Sequence, residues 1–247
     1  MSRRTTRKNP PPIRRRGLKT ALGRVASTLA PAVGFVLPDS CVSCGDALGR
    51  GEKHLCPACW REVRPAAYAV ELPGAVPEGR RHVVERRAFF LLAFDGAPRA
   101  LIHALKYGRR TSVAASLVRA VVPALAQLPL SGLEIVVPVP LHAVRLRERG
   151  FNQAALLAEE LGRALGRPVR SGLRRTRATR EQTGLTRARR LGNVAAAFAA
   201  DPDRFGGSHV LLLDDVVTTG ATLGECALAL SDSGAVEVIG CAVASSG

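Results

Sequence analysis

The chain has 247 residues, enough for one large domain or for a core domain with a smaller appendage. Hydrophobic residues make up 47% and aromatics only 4%, so a soluble globular α/β core is expected, filled by Ala, Val and Leu. The formal net charge is +16, and no apolar segment reaches the length of a membrane-spanning helix.

The charge is unevenly placed. Residues 1–20 carry Arg3, Arg4, Arg7, Lys8, Arg14, Arg15, Arg16 and Lys19 with no acid, half of the net total. With Pro10, Pro11 and Pro12 among them, residues 1–17 are expected to be a disordered basic tail. Such a tail is usually a solvated, solubilising one, and weak non-specific contact with nucleic acid or acidic lipid is its other use. The apolar stretch Val25–Pro38 follows, broken by Pro31. A signal peptide fits its position, but the cysteines that begin just after it have metal-type spacing. A short amphipathic helix over Leu18–Leu29 is therefore expected to enter a cysteine module spanning 18–65.

That module holds Cys41-x2-Cys44 and Cys56-x2-Cys59, two knuckles separated by eleven residues. Each pair can aim two thiolates at one ion, and four complete a closed tetrahedral zinc site. Disulfides are one alternative, disfavoured in a chain expected to be cytoplasmic, and a redox pair is another, disfavoured because two matched pairs favour metal. Loss of the metal is expected to loosen residues 35–65 and leave the rest folded. Residues 66–90, with Pro, charge and little periodicity, read as a connector.

Residues 91–247 read as one α/β domain. Ala97–Lys106 and Ser112–Leu125 have helical spacing, and Glu134–Val139 is a β-branched run typical of a buried parallel strand. Asn152–Leu165 is an amphipathic helix with Asn152 as N-cap. Val210–Leu213 reads as a strand, Ala221–Leu230 as a helix and Val236–Val243 as a strand. This alternation implies a parallel sheet with right-handed crossovers. Arg174–Asn193 fits neither period and holds seven arginines against Glu181. A long basic loop or hairpin inside a compact domain is usually functional. Cys226 and Cys241 fall in a helix and a strand and read as small core residues.

The most informative stretch is Val210-Leu-Leu-Leu-Asp-Asp-Val-Val-Thr-Thr-Gly-Ala-Thr-Leu223. A buried strand leads to two carboxylates, then to small and hydroxylated residues opening a helix. Ligands of open α/β sheets sit beyond the carboxyl ends of strands. A helix N-terminus offers unpaired N–H groups and a positive dipole end to a phosphate. Asp214 and Asp215 cannot hold that phosphate, so sugar hydroxyls are their natural partners.

This stretch resembles the phosphoribosyl pyrophosphate motif of type I phosphoribosyltransferases. The resemblance implies that Asp214 and Asp215 take the ribose, while Val217, Thr218, Thr219, Gly220, Ala221 and Thr222 cradle the 5′-phosphate. Val137-Pro-Val-Pro-Leu-His142, Arg149-Gly-Phe-Asn-Gln153, Gln182, and Arg187 to Phe198 with Arg190 and Asn193, behind a cysteine module, resemble the ComF family. That resemblance covers about residues 35–247. It implies a parallel-sheet, type I phosphoribosyltransferase-like domain preceded by a small zinc-ribbon-like module. It also implies a pyrophosphate loop at Pro138–Arg149 with Arg145, Arg147 and Arg149, aided by Lys106 from a Lys106-Tyr107-Gly108 turn. Magnesium would accompany the pyrophosphate, and the basic stretch with Arg180 and Arg187 would form a hood. His142 could act as acid or base, although a lone loop histidine is more often a polar surface group. Two functions follow: phosphoribosyl transfer with pyrophosphate as leaving group, or non-catalytic binding of phosphoribosyl pyrophosphate or a nucleoside monophosphate in DNA uptake or processing. Competence or DNA-processing proteins would then be partners.

Overall fold

The computed structural model describes residues 39–72, 83–176 and 197–246, without the side chains of 83–86. The basic tail, the helix expected at Leu18–Leu29, and the residues from Arg177 to Asn193, Arg180 and Arg187 among them, lie outside the described residues.

Among the described residues five strands make the central sheet. In chain order they are β1 (Tyr68–Glu71), β2 (Val83–Ala93), β3 (Ile135–Pro138), β6 (His209–Val217) and β7 (Glu237–Ser245). Across the sheet the order is β1-β2-β7-β6-β3; β1 runs antiparallel to β2, and the other pairings are parallel. β6 and β7 are almost continuously buried, as parallel strands covered on both faces must be. A second, two-stranded antiparallel ladder joins β4 (Leu173–Arg175) to β5 (Phe198–Ala200).

The helices of the described residues are α1 (Pro57–Trp60), α2 (Gly96–Tyr107), α3 (Val113–Leu125), α4 (Ala143–Arg149), α5 (Gln153–Leu165), α6 (Pro202–Phe205) and α7 (Ala221–Asp232). The two sheet faces are covered differently. Leu211, Leu213, Ile239 and Cys241 pack with Leu101 and Leu105 of α2, Leu117 and Val121 of α3, and Leu157 and Leu161 of α5. Val210, Leu212, Val238 and Ala242 pack with Leu223, Cys226 and Ala227 of α7, and with Leu173, Phe198 and Phe205. Cys226 and Cys241 are fully buried, as expected of small core residues.

Several boundaries differ from the sequence reading. The expected connector at 66–90 carries β1 and most of β2, whose run Glu85-Arg86-Arg87 breaks the apolar pattern of a strand that lies inside the sheet. The cut at 90/91 falls inside β2, which pairs with β7 as far as Ala93. The strand expected to end at Leu213 continues through both acids to Val217, because β7 stays in register with it from His209↔Glu237 to Val217↔Ser245. The expected pyrophosphate loop is largely helix α4, with no buried residue to betray its period.

The cysteine module, from Ser40, is one compact unit with the sheet and its helices. Cys41, Leu55, Cys56 and Cys59 are buried in the same cluster as α2 and α3. A cavity of about 640 Å³ lies between Lys53, Leu55, Pro57 and Trp60 of the module and Ser116, Arg119 and Ala120 of α3. None of these residues belongs to the phosphate motif on β6 and α7.

Candidate phosphoribosyl site and metal centre

The paired acids occupy successive positions near the carboxyl end of β6, and successive strand residues point to opposite faces. Asp215 turns to the α2 side, where the Lys106 ammonium reaches its Oδ1 at 3.0 Å; both side chains are mostly buried. Asp214 pairs in register with Ala242, on the α7 side. Burial pushes its carboxyl up to about 7, and the Asp215 charge pushes the same way. The Asp215 N–H, which donates to Asp214 Oδ1 at 2.8 Å, opposes this, as do the charges of Lys106 and Arg175. Arg175, on β4, is itself held below its ordinary value chiefly by burial, and its guanidinium lies 5.5 Å from the Phe198 ring centre. The sequence reading counted Arg175 in the basic stretch expected to form the hood, without singling it out as a neighbour of the acids. Its side chain is positioned by the β4–β5 ladder, which spans residues too distant in sequence for local periodicity to reveal.

After Val217 the chain turns through Thr218 to Gly220 into α7. Gly220 is the helix N-cap with φ of 76°, a left-handed conformation that any side chain would strain. Thr219 Oγ1 accepts from the Ala221 N–H at 3.5 Å. Thr218 is exposed, Thr219 and Thr222 are half-buried, and Gly220 and Ala221 are buried. The turn thus sets one exposed and two half-buried threonine hydroxyls at the start of a 12-residue helix, where the first N–H groups lack intrahelical acceptors.

Across the sheet edge, β3 hydrogen bonds to β6 as far as Pro138↔Leu213, and the Val139 N–H donates to Leu213 O at 2.8 Å. The chain leaving β3 therefore starts beside the acids. It enters α4 at His142, whose Nδ1 accepts from the Val144 N–H at 3.3 Å. His142 is thus a helix cap, which accounts for it structurally. Arg145 and Arg149 are half-buried on α4, and Arg147 is exposed. The Arg149 guanidinium lies over the Tyr107 ring, 5.2 Å from its centre. Lys106 and Tyr107 belong to the last turn of α2 and not to a separate turn. Lys106 is engaged by Asp215, so the structure ties it to an acid and not to the α4 arginines.

The metal module is built from turns. Cys41 N–H donates to Asp46 O, Gly45 N–H to Cys41 O, and Val42 N–H to His54 O, folding the two knuckles onto each other. The four cysteine sulfurs all lie within 4.8 Å of one another, with Cys44 Sγ and Cys56 Sγ 3.7 Å apart. Zinc bonded to four thiolates at about 2.3 Å sets them about 3.8 Å apart, so the donor set fits a tetrahedral zinc. Burial works to raise the Cys41 thiol, but the backbone of Cys44, Cys56 and Ser43 outweighs it and brings the thiol down to about 6, whereas the Cys44 and Cys59 thiols of the same cluster are held above their ordinary value. None of the six cysteines is in a disulfide. Cys41, Cys44, Cys56 and Cys59 form a structural zinc site.

Residues 32–70 match the double zinc ribbon domain family. The chain is 33% identical over 219 residues to the DNA utilization protein YhgH of Escherichia coli K12, covering 83% of this chain and 96% of that protein. It is 39% identical over 108 residues to Competence protein F of Haemophilus influenzae, covering 42% of this chain and 47% of that one. It is 26% identical over 205 residues to Competence protein ComFC of Bacillus subtilis, covering 82% and 83%. Among solved structures, the glutamine phosphoribosylpyrophosphate amidotransferase of B. subtilis complexed with ADP and GMP aligns with a TM-score of 0.36 at 23% identity, over 53% of this chain and 26% of that one.

Proposed function

The chain belongs to the ComF family, and from that premise we propose that it binds phosphoribosyl pyrophosphate at the carboxyl edge of β6 and transfers the phosphoribosyl group, with pyrophosphate leaving. The observation that carries this reading is the order of parts at one sheet edge: Asp214 and Asp215, then the left-handed Gly220, then the start of α7. Thr218, Thr219, Thr222 and the backbone from Val217 to Ala221 would hold the 5′-phosphate, where the helix dipole favours an anion. Asp215 would accept from a ribose hydroxyl once Lys106 yields it, and Asp214 would take the other. Arg145 and Arg149, on α4 beside the end of β3, would neutralise the pyrophosphate; guanidinium suits bidentate phosphate contact. Arg180 and Arg187 remain proposed for the hood.

The sugar C1 to pyrophosphate oxygen bond breaks as a bond from C1 to the acceptor forms. Positioning and charge stabilisation of the leaving group would supply most of the catalysis. Magnesium, when bound with the donor, would supply charge neutralisation on the pyrophosphate. The two carboxylates fit a hard cation or its water ligands as well as they fit sugar hydroxyls.

Calorimetry with phosphoribosyl pyrophosphate and magnesium tests the reading. Binding is expected, weaker with ribose 5-phosphate, and weakened by Asp215→Ala by about 1.5–3 kcal/mol for a lost charge-assisted bond. A chain that ignores both ligands and nucleoside monophosphates would refute it.

The names of the relatives, a DNA utilization protein and competence proteins, favour a second reading: a cytoplasmic, non-catalytic binder of the same ligands in DNA uptake or processing. It would work with competence or DNA-processing proteins and touch nucleic acid weakly through the basic tail. Turnover of labelled phosphoribosyl pyrophosphate with a panel of bases separates the two. Among the described residues no helix is long and apolar enough to cross a membrane.

A further inference from the structure

Tyr107 is 65% exposed, the most exposed of the large apolar side chains in the described residues. In a chain with 4% aromatics, leaving such a ring in water at a sheet edge that carries the phosphate motif calls for a reason. The ring is not loose. Arg149 of α4 covers it at 5.2 Å, and the His103 ring, one turn back on α2, lies 5.5 Å away at 60°. Two elements therefore fix its plane. Its chain neighbour Lys106 contacts Asp215 at 3.0 Å, and Arg149, which covers the ring, lies on α4, entered directly from the end of β3 beside the acids, so both elements that hold the ring border the site. Leu146, one turn before Arg149 on the same face of α4, is also exposed, at 43%.

We propose that Tyr107, with Arg149 and Leu146, is a shelf for a planar heteroaromatic ring, so that the site takes a nucleotide or a base acceptor in preference to a bare sugar phosphate. This rests on the reading of β6 and α7 as a ribose 5-phosphate site and adds the class of group that lies beyond C1. An aromatic face offers a base stacking that tolerates any base identity. A guanidinium stacked on a ring keeps its N–H edges in plane, so Arg149 can flank the base and still meet phosphate oxygens. Because the shelf reads only a π face, it predicts weak discrimination among bases.

The test compares dissociation constants of ribose 5-phosphate, adenosine 5′-monophosphate and uridine 5′-monophosphate on the full chain, by calorimetry. The readout is the ratio of sugar phosphate to nucleotide, which cancels any general effect of a variant on the phosphate cradle. In the wild type the nucleotides should bind about tenfold more tightly, with the two bases within about threefold of each other. Tyr107→Ala should bring the ratio near one, and Tyr107→Trp should restore or enlarge it. A wild-type ratio near one, or an advantage that survives Tyr107→Ala, overturns the shelf and leaves the sugar-phosphate reading standing. Binding of none of the three ligands removes that reading and the shelf with it.

Discussion

Asp214 and Asp215 share one strand and face different neighbours, and this gives them different chemistry. Asp215 has an ammonium at 3.0 Å. Asp214 is held by burial, with its carboxyl up at about 7. Its folded-state value is above that of the unfolded chain, so the folded protein binds the proton more tightly. The stabilisation is fully present below about pH 4 and is lost as pH rises through about 7. Asp214→Asn should therefore gain stability relative to wild type as pH rises from 5 to 8, by about 1–3 kcal/mol at pH 8. Urea unfolding at several pH values checks this, and a difference that does not change with pH would show that Asp214 is not protonated in the folded state. Gly220 carries a second residue-level prediction, since its φ of 76° strains any L residue. Gly220→Ala should lose about 1–2 kcal/mol, and Gly220→Asn less, because Asn visits the left-handed region more readily. Equal losses for Ala and Asn would mean that close packing and not φ makes the position a glycine.

At the scale of elements, α5 was legible because its signals are local. Asn152 Oδ1 accepts from the Ala154 N–H at 3.1 Å, and its amide also donates to Val139 O at 3.0 Å. The same side chain starts the helix and pins the end of β3 beside the site. Asn152→Ala should cost about 1–2 kcal/mol, and Asn152→Asp, which keeps the cap acceptor but loses the donor to Val139, should fall between. Chemical denaturation of the three proteins ranks them, and an Asp variant as stable as wild type would show that the Val139 bond contributes nothing. The helices α2, α3 and α7 and the strands β3 and β7 were readable in the same way, from runs whose period or β-branching is set by burial. The extent of β6 was not, because two carboxylates look like the end of a strand until the in-register partner β7 is known. Nor was α4, which buries nothing and so has no apolar stripe. The acids and the Thr-Gly turn were legible as a motif. The engagement of Lys106 by Asp215 and the stacking of Arg149 on Tyr107 join residues about 40 to 110 positions apart, and no spacing rule reaches that far.

For the whole molecule, the zinc module is part of the wall of the α/β core. The sequence suggests a module that folds on its metal and can be lost alone. In the structure Leu55 is fully buried, and with Cys41, Cys56 and Cys59 it belongs to one cluster with Leu101, Ile102 and Leu105 of α2 and Leu117 of α3. Among its described residues the module has little regular structure to hold that surface in place: the four-residue helix α1, the Ser40–Ala47 bridge and a set of turns. Its order therefore depends on the metal, whose binding free energy is folding free energy. Removing zinc should expose the α2–α3 face and lower the stability of the sheet domain as well. Cys41→Ser, or chelation of the wild-type protein, should lower the melting temperature by about 5–10 °C, corresponding to about 2–3 kcal/mol for a chain of this size. The loss should appear in the main unfolding transition, and zinc added back to the chelated protein should restore it. Metal analysis should find about one zinc per chain before chelation and none after. Hydrogen exchange then locates the effect. Protection should fall in α2 and α3 as well as in residues 40–63. A fall confined to the module, with an unchanged melting temperature, would mean that the α/β domain closes its core without it.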